Sequence, residues 1–176
     1  MKSSKTKNLF FSIAILAIAI VAFGWYYLAT RPVSIELQSD KTAYFKVDMP
    51  VVEVMVNNLK DADNGQIAVT YDNSVLELSE TMPSEGVTYN TLGNTVIFEL
   101  SKDYVASGEN KAGEITFEST SQGTVDLVFD ADKTYVNNKD GEMELSLKEV
   151  SFEIGVAPRE AEENANEQDS NDPNEL

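Results

Sequence analysis

Between Pro32 and Val156 lie 23 aspartates and glutamates, and the 176-residue chain contains no histidine and no cysteine. That inventory limits the chemistry. The commonest general base, the soft metal ligands and the thiol nucleophile are all missing. Two carboxylates alone can run a glycosidase, but among so many acids close pairs arise by chance. No glycine-rich loop is present to cradle a phosphate. The residues read as those of a non-enzyme. Calcium needs only oxygen ligands, so the acidic loops come next. Asn137-Asn138-Lys139-Asp140-Gly141 looks like a calcium loop until Gly141 is set at its sixth position. The first and twelfth ligands then fall on Val136 and Leu147, which cannot coordinate the ion. The segment reads instead as a hairpin turn, with Asp140-Gly141 supplying positive φ. Asp61-Ala62-Asp63-Asn64-Gly65 is one residue too short for the motif; it is a weak Ca²⁺ site or a loop of Asx turns. No cofactor is established by either loop. Tyr89, Tyr104 and Tyr135, each near a turn, are candidates for a sugar-stacking platform.

Charge sorts the partners. From Pro32 to Val156 there are 8 basic and 23 acidic side chains, a net charge of −15. Nucleic acid and anionic lipid both need a cationic surface and are disfavoured. The acidity serves solubility and self-repulsion, or recognition of a basic partner.

The chain also says where these groups sit. Residues 1–8 hold Lys2, Lys5 and Lys7; residues 9–29 are an apolar run ending in Trp25-Tyr26-Tyr27-Leu28-Ala29. As a helix, such a run rises about 30 Å, the thickness of a bilayer's hydrocarbon core. The lysines place the N-terminus in the cytoplasm and the aromatic residues suit the opposite interface. A cleaved signal peptide is the competing reading, but it calls for a shorter apolar run and a small-residue exit. The expectation is a single-pass signal anchor with everything after Arg31 extracytoplasmic. Residues 157–176 carry seven acids against Arg159, with Pro158 and Pro173 as breakers, and are expected to be a disordered acidic tail.

Residues 32–156 alternate with period two. Val33/Ile35/Leu37, Val52/Val54/Val56, Ile67/Val69/Tyr71, Val96/Phe98/Leu100, Ile115/Phe117 and Val125/Leu127/Phe129 each read as a half-buried strand between turn clusters. With no cysteine, the apolar core must hold this ectodomain without disulfides. Eight or nine such strands predict an all-β antiparallel sandwich. The apolar parity flips from Met143/Leu145/Leu147 to Val150/Phe152/Ile154, which predicts a bulge or strand break at Lys148-Glu149.

Gly65-Gln66-Ile67-Ala68-Val69-Thr70-Tyr71-Asp72-Asn73-Ser74-Val75-Leu76-Glu77-Leu78 resembles the strand–turn–strand of cohesin domains. Val51–Asn57 resembles the preceding cohesin strand, although Met55 stands where the family usually has proline. Ala112–Phe117 and Gly123–Leu127 resemble the late pair of strands, so the likeness runs from Val33 to Ile154. It implies a jelly-roll sandwich of about nine strands, a fold shared with carbohydrate-binding modules. It also implies docking of a protein partner of dockerin type, a module that folds around Ca²⁺, through the outer face of the sheet containing Gln66–Tyr71. By alternation that face carries Gln66, Ala68 and Thr70, joined by Thr95, Ile97 and Glu99 and by Asp126 and Val128. The leading expectation is a non-catalytic cell-surface binding or scaffolding module. A carbohydrate- or cell-wall-binding module, with polysaccharide as ligand, and a structural envelope subunit are the alternatives.

Overall fold

The computed structural model describes residues 16–22, 24, 31–60, 62–108 and 110–155. The expectations for residues 1–8 and 157–176, and most of the apolar run, lie outside this set. Residues 16–22 form a helical segment, α1, whose side chains are all exposed. Among the described residues no helix is long and apolar enough to cross a membrane.

The remainder is a two-sheet β-sandwich. One sheet has five strands in the order β12 (Leu145–Lys148), β1 (Val33–Ser39), β3 (Val51–Asn57), β8 (Lys111–Ser119) and β5 (Leu76–Pro83). The other is built on β4 (Ala62–Thr70). Along one of its edges runs β7 (Thr95–Leu100) and then β6 (Val87–Leu92). Two strands in succession share its other edge, β9 (Gly123–Phe129) and β10 (Tyr135–Asn138). Beyond β9 lie β13 (Val150–Gly155) and β2 (Ala43–Phe45), and beyond β10 lies β11 (Gly141–Glu142). A short helix, α2 (Lys102–Ser107), joins β7 to β8. Ser101 caps it by accepting from the Tyr104 amide, and Gly108 ends it in the left-handed region.

The alternation works as expected. Ile35, Val52, Val54, Ile67, Val69, Phe98, Ile115, Phe117 and Leu127 have no accessible surface, and burying each such side chain contributes about 1.5–3 kcal/mol. Tyr71 leans on Phe117 from the facing sheet, and Tyr44 meets Phe152 edge to face, each at 5.1 Å between ring centroids. The Asp72-Asn73-Ser74 turn is closed by the Asp72 carboxylate, which accepts from the Ser74 amide at 2.8 Å and the Ser74 hydroxyl at 2.7 Å.

The structure has 13 strand segments rather than nine, because long strands are cut where they change partners. The break at Lys148-Glu149 is one such cut. β12 pairs in parallel with β1, β13 pairs with β9, and the chain crosses from one sheet to the other between them. Crossing inverts the side of the strand that meets the core, so the apolar parity must flip there. Glu149, at the crossing, accepts from the Phe129 amide at 3.3 Å. The hairpin predicted at Asn138–Gly141 is present. Its two central residues are Lys139-Asp140; Gly141, at φ 131°, begins the return strand.

Candidate functional site

The two longest runs without a charged residue between Pro32 and Val156 are residues 86–98 and 64–71, 13 and 8 residues long. The first becomes β6 and β7, the second most of β4, and they pair side by side. Asn90, Ile97 and Ala68 stand opposite one another across the three strands; so do Leu92, Thr95 and Thr70, and Thr88, Glu99 and Gln66. The row through Thr70 continues to Val128 on β9, and the row through Gln66 continues to Tyr135 on β10. Because neighbours in register share a face, these side chains make one outward surface in which Glu99 is the only ionisable acid. Thr70 and Thr95 hydroxyls lie 3.1 Å apart across the strand pair.

The eight residues named from the sequence thus share the outer side of this sheet. Asp126 sits two residues before Val128, opposite Ser151 of β13, at the acidic margin with Glu149, Glu153, Asp130 and Asp132. Their exposure is unequal. Glu99 and Asp126 are exposed and Gln66, Thr70 and Val128 half-buried, whereas Ala68 is inaccessible and Thr95 and Ile97 are 7% and 8% exposed.

Ala68 is closed off by the segment between β9 and β10. Here the ladder along β4 breaks, and Thr134 substitutes for the missing partner. Its hydroxyl accepts from the Ala68 amide at 3.1 Å and donates to the Ala68 carbonyl at 3.4 Å, and that carbonyl also accepts from the Asp130 amide at 2.9 Å. Gln66 Nε2 donates to the Lys133 carbonyl at 2.8 Å, fastening the loop to the face. Lys133 pairs with Asp130 at 2.6 Å, which holds the Asp130 carboxyl below its ordinary value.

Sequence reasoning missed Thr88, Asn90 and Leu92 of β6, all exposed, and named Tyr135 of β10 only as a sugar-stacking candidate. The signal that finds the first three is the charge-free run itself. The three tyrosines do not line up as a sugar platform: Tyr104 is fully buried on α2, Tyr89 is opposite the core residue Phe98, and Tyr135 is on the outer face. At the acidic loop, Asp63 pairs with Lys102 at 3.3 Å and Asn64 Oδ1 accepts from Asn137 Nδ2 at 3.3 Å; Asp61 lies outside the described residues. Among the described residues no group of three or more acidic side chains is placed to hold a metal ion.

Protein-family profiles and curated proteins yield no match to this chain. Solved structures do match. The seventh ScaB type I cohesin from Pseudobacteroides cellulosolvens superposes with a TM-score of 0.55 at 22% identity, covering 73% of this chain and 94% of that one. The fold is that of a cohesin. The third cohesin ScaC of Acetivibrio cellulolyticus, solved with the ScaB dockerin, has a TM-score of 0.60 at 8% identity, covering 71% and 99%. A non-cellulosomal cohesin from the archaeon Archaeoglobus fulgidus gives 0.54 at 16% identity, covering 74% and 94%. At these identities the likeness is one of architecture: the cohesin-like sandwich is shared, while few side chains are.

The surface of this cohesin-like sheet offers hydroxyls, amides and small apolar groups around a single carboxylate.

Proposed function

We propose that this chain is a non-catalytic docking module, held at the outer face of a membrane by residues 9–29, which binds a protein of dockerin type through the outer face of β6, β7, β4 and β9. The observation that carries the reading is the pairing in register of the two charge-free runs on a domain of net charge −15. Charge depletion with a polar rim is the composition of an interface core. The neutral floor is roughly 20 Å along the strands and about 10 Å across β6 and β7 to the edge of β4, where the segment with Asp130 and Lys133 covers Ala68. That is smaller than the roughly 800 Å² per partner of a standard interface, so contact extends onto the acidic margin at Asp126, Glu149 and Glu153. A partner with a basic rim fits, and its association weakens as salt rises.

Support for the dockerin class comes from neighbours of the same fold solved as cohesin–dockerin complexes. The apolar, aromatic-ended run from Leu9 to Ala29 supports the anchor, and Pro32-Val33 leaves almost no linker before β1.

The test is capture from an envelope extract by the full chain in detergent, with and without EDTA, repeated with a Leu92→Asp/Val128→Asp double variant. A protein retained by the wild type, released by EDTA and lost by the variant establishes the docking role. Retention that the double variant leaves unchanged refutes the face; retention of polysaccharide instead of protein refutes the partner class.

A further inference from the structure

A sheet edge is a row of unspent N–H and C=O groups, and proteins ordinarily guard it with charge, proline or brevity. Four edges of this sandwich follow that rule. β5 carries Glu77 and Glu80 and ends in Pro83; β12 is four residues with Lys148; β2 is three residues flanked by Lys41 and Lys46; β11 is two residues with Glu142. The fifth edge, β6, is six residues, Val87-Thr88-Tyr89-Asn90-Thr91-Leu92, without charge or proline, and five of them are exposed. Neither charge nor proline guards it.

The hydrogen-bonding parity of that edge is fixed by its neighbours. The Tyr71 amide donates to the Asn94 carbonyl and the Ser101 amide to the Gly86 carbonyl. Carried through the register, β7 uses residues 96, 98 and 100 toward β4 and 95, 97 and 99 toward β6. Thr88, Asn90 and Leu92 therefore bond inward, and Tyr89 and Thr91 present both main-chain groups to solvent. The Val87 amide is already spent on the Ser84 carbonyl.

We propose that β6 is a self-association edge, at which two copies of this chain pair their β6 strands antiparallel with Asn90 opposite Asn90 of the second copy. This register alone uses all four free groups of each strand, through two reciprocal Tyr89–Thr91 pairs. It sets aromatic against β-branched side chains and Thr88 against Leu92, a favourable cross-strand pattern. A second copy is the fitting occupant on charge: two chains of net charge −17 can approach closely only over a neutral strip, and β6 is that strip. The arrangement is two-fold and closed. At roughly 20 Å long, the strip is too small for a permanent dimer, so the association is weak and concentration-dependent.

The chain has no cysteine, so a single introduced thiol reports position cleanly. Opposed residues at a non-hydrogen-bonded antiparallel pair lie about 4.5 Å apart at Cα, within disulfide range. Full-length protein in detergent carrying Asn90→Cys is oxidised beside Gln38→Cys, an exposed site on β1. The expected result is about tenfold more covalent dimer from Asn90→Cys. Adding Thr91→Pro removes only an outward-facing amide and should abolish the excess; a Tyr89→Lys addition, which puts two lysines into the paired strands, should do the same. Equal crosslinking at both cysteines, or an excess that survives both added substitutions, overturns the proposal. Neither outcome bears on docking at the outer face, whose test reads retention of a partner.

Discussion

Thr134→Val is the perturbation that isolates how the face is held. Thr134 is 3% exposed and Ala68 inaccessible, so the Ala68 amide has no route to water. Its partner is the Thr134 hydroxyl at 3.1 Å. Valine has nearly the volume and shape of threonine, so packing changes little and the cost is that of one buried donor left without an acceptor. That cost is about 1–3 kcal/mol. The Ala68 carbonyl keeps its bond from the Asp130 amide, so only one group is orphaned. For a domain of about 125 residues each kcal/mol moves the midpoint by about 3–5 °C, which gives a fall of about 3–15 °C. Thr134→Ser keeps the hydroxyl and loses one methyl, worth about 0.8 kcal/mol. Thermal unfolding followed by circular dichroism should rank the proteins wild type, then Thr134→Ser, then Thr134→Val. A valine variant as stable as the wild type, or more stable than the serine variant, would refute the assignment of Thr134 as the stand-in strand partner.

Three further outcomes are expected. A Cβ on Gly113 would stand 2.5 Å from Cε1 of Phe98 and 2.9 Å from the Met82 carbonyl, so Gly113→Ala should cost about 1–3 kcal/mol by overpacking, read from denaturant midpoints at unchanged slope. The Asp72 carboxyl is held below its ordinary value by the hydroxyl and amide of Ser74. Its contribution to stability is thus present above the unfolded value and lost as pH falls through the folded one; Ser74→Ala should raise the Asp72 midpoint in an NMR titration. Lys111, between Glu114 at 2.8 Å and Glu53 at 2.6 Å, is pushed above the ordinary 10.5. Stability from it is present below 10.5 and lost as pH rises through the raised value, and Lys111→Met should remove that part of the alkaline loss in a pH series of unfolding midpoints.

Period-two alternation made most strands legible, because each strand has one face on the core and one in water. The flip at Lys148-Glu149 was legible for the same reason, since only a change of sheet lets Leu147 and Phe152 both meet the core. The break between β9 and β10 was not. Residues 130–134 carry no alternation, and what makes them part of β4's edge is a hydroxyl on Thr134 meeting the main chain of Ala68, 66 residues away in sequence. A side chain replacing a backbone partner leaves no periodic trace. Alternation placed Ala68, Thr95 and Ile97 on the outer face, but it cannot register the neighbours that then cover them. The platform of tyrosines failed on a related point: Tyr104 lies in α2, six residues long, where helical rather than alternating geometry turns its ring into the core.

Charge distribution, unlike alternation, reads the two surfaces apart. On the outer face of the five-stranded sheet some carboxylates are matched: Lys148 pairs with Glu36, which holds that carboxyl below its ordinary value, and Lys111 bridges Glu53 and Glu114, whereas Glu77 of β5 stands opposite Glu118 of β8. Such exposed pairs add little stability, but they make that surface a mixed-charge one. The opposite sheet is handled differently: over β6, β7 and residues 64–70 of β4 the only charged side chain is Glu99, and the acids are displaced to the margin. Removing charge costs a strongly acidic chain some of the repulsion that keeps copies apart. The same 13-residue run that clears the proposed docking floor also strips the guard from the β6 edge. The proposed interface core and the unguarded edge are therefore two consequences of one sequence feature, residues 86–98. Restoring a charge at Tyr89, whose side chain is off the floor, should suppress edge pairing; at Leu92, on the floor, it should suppress docking.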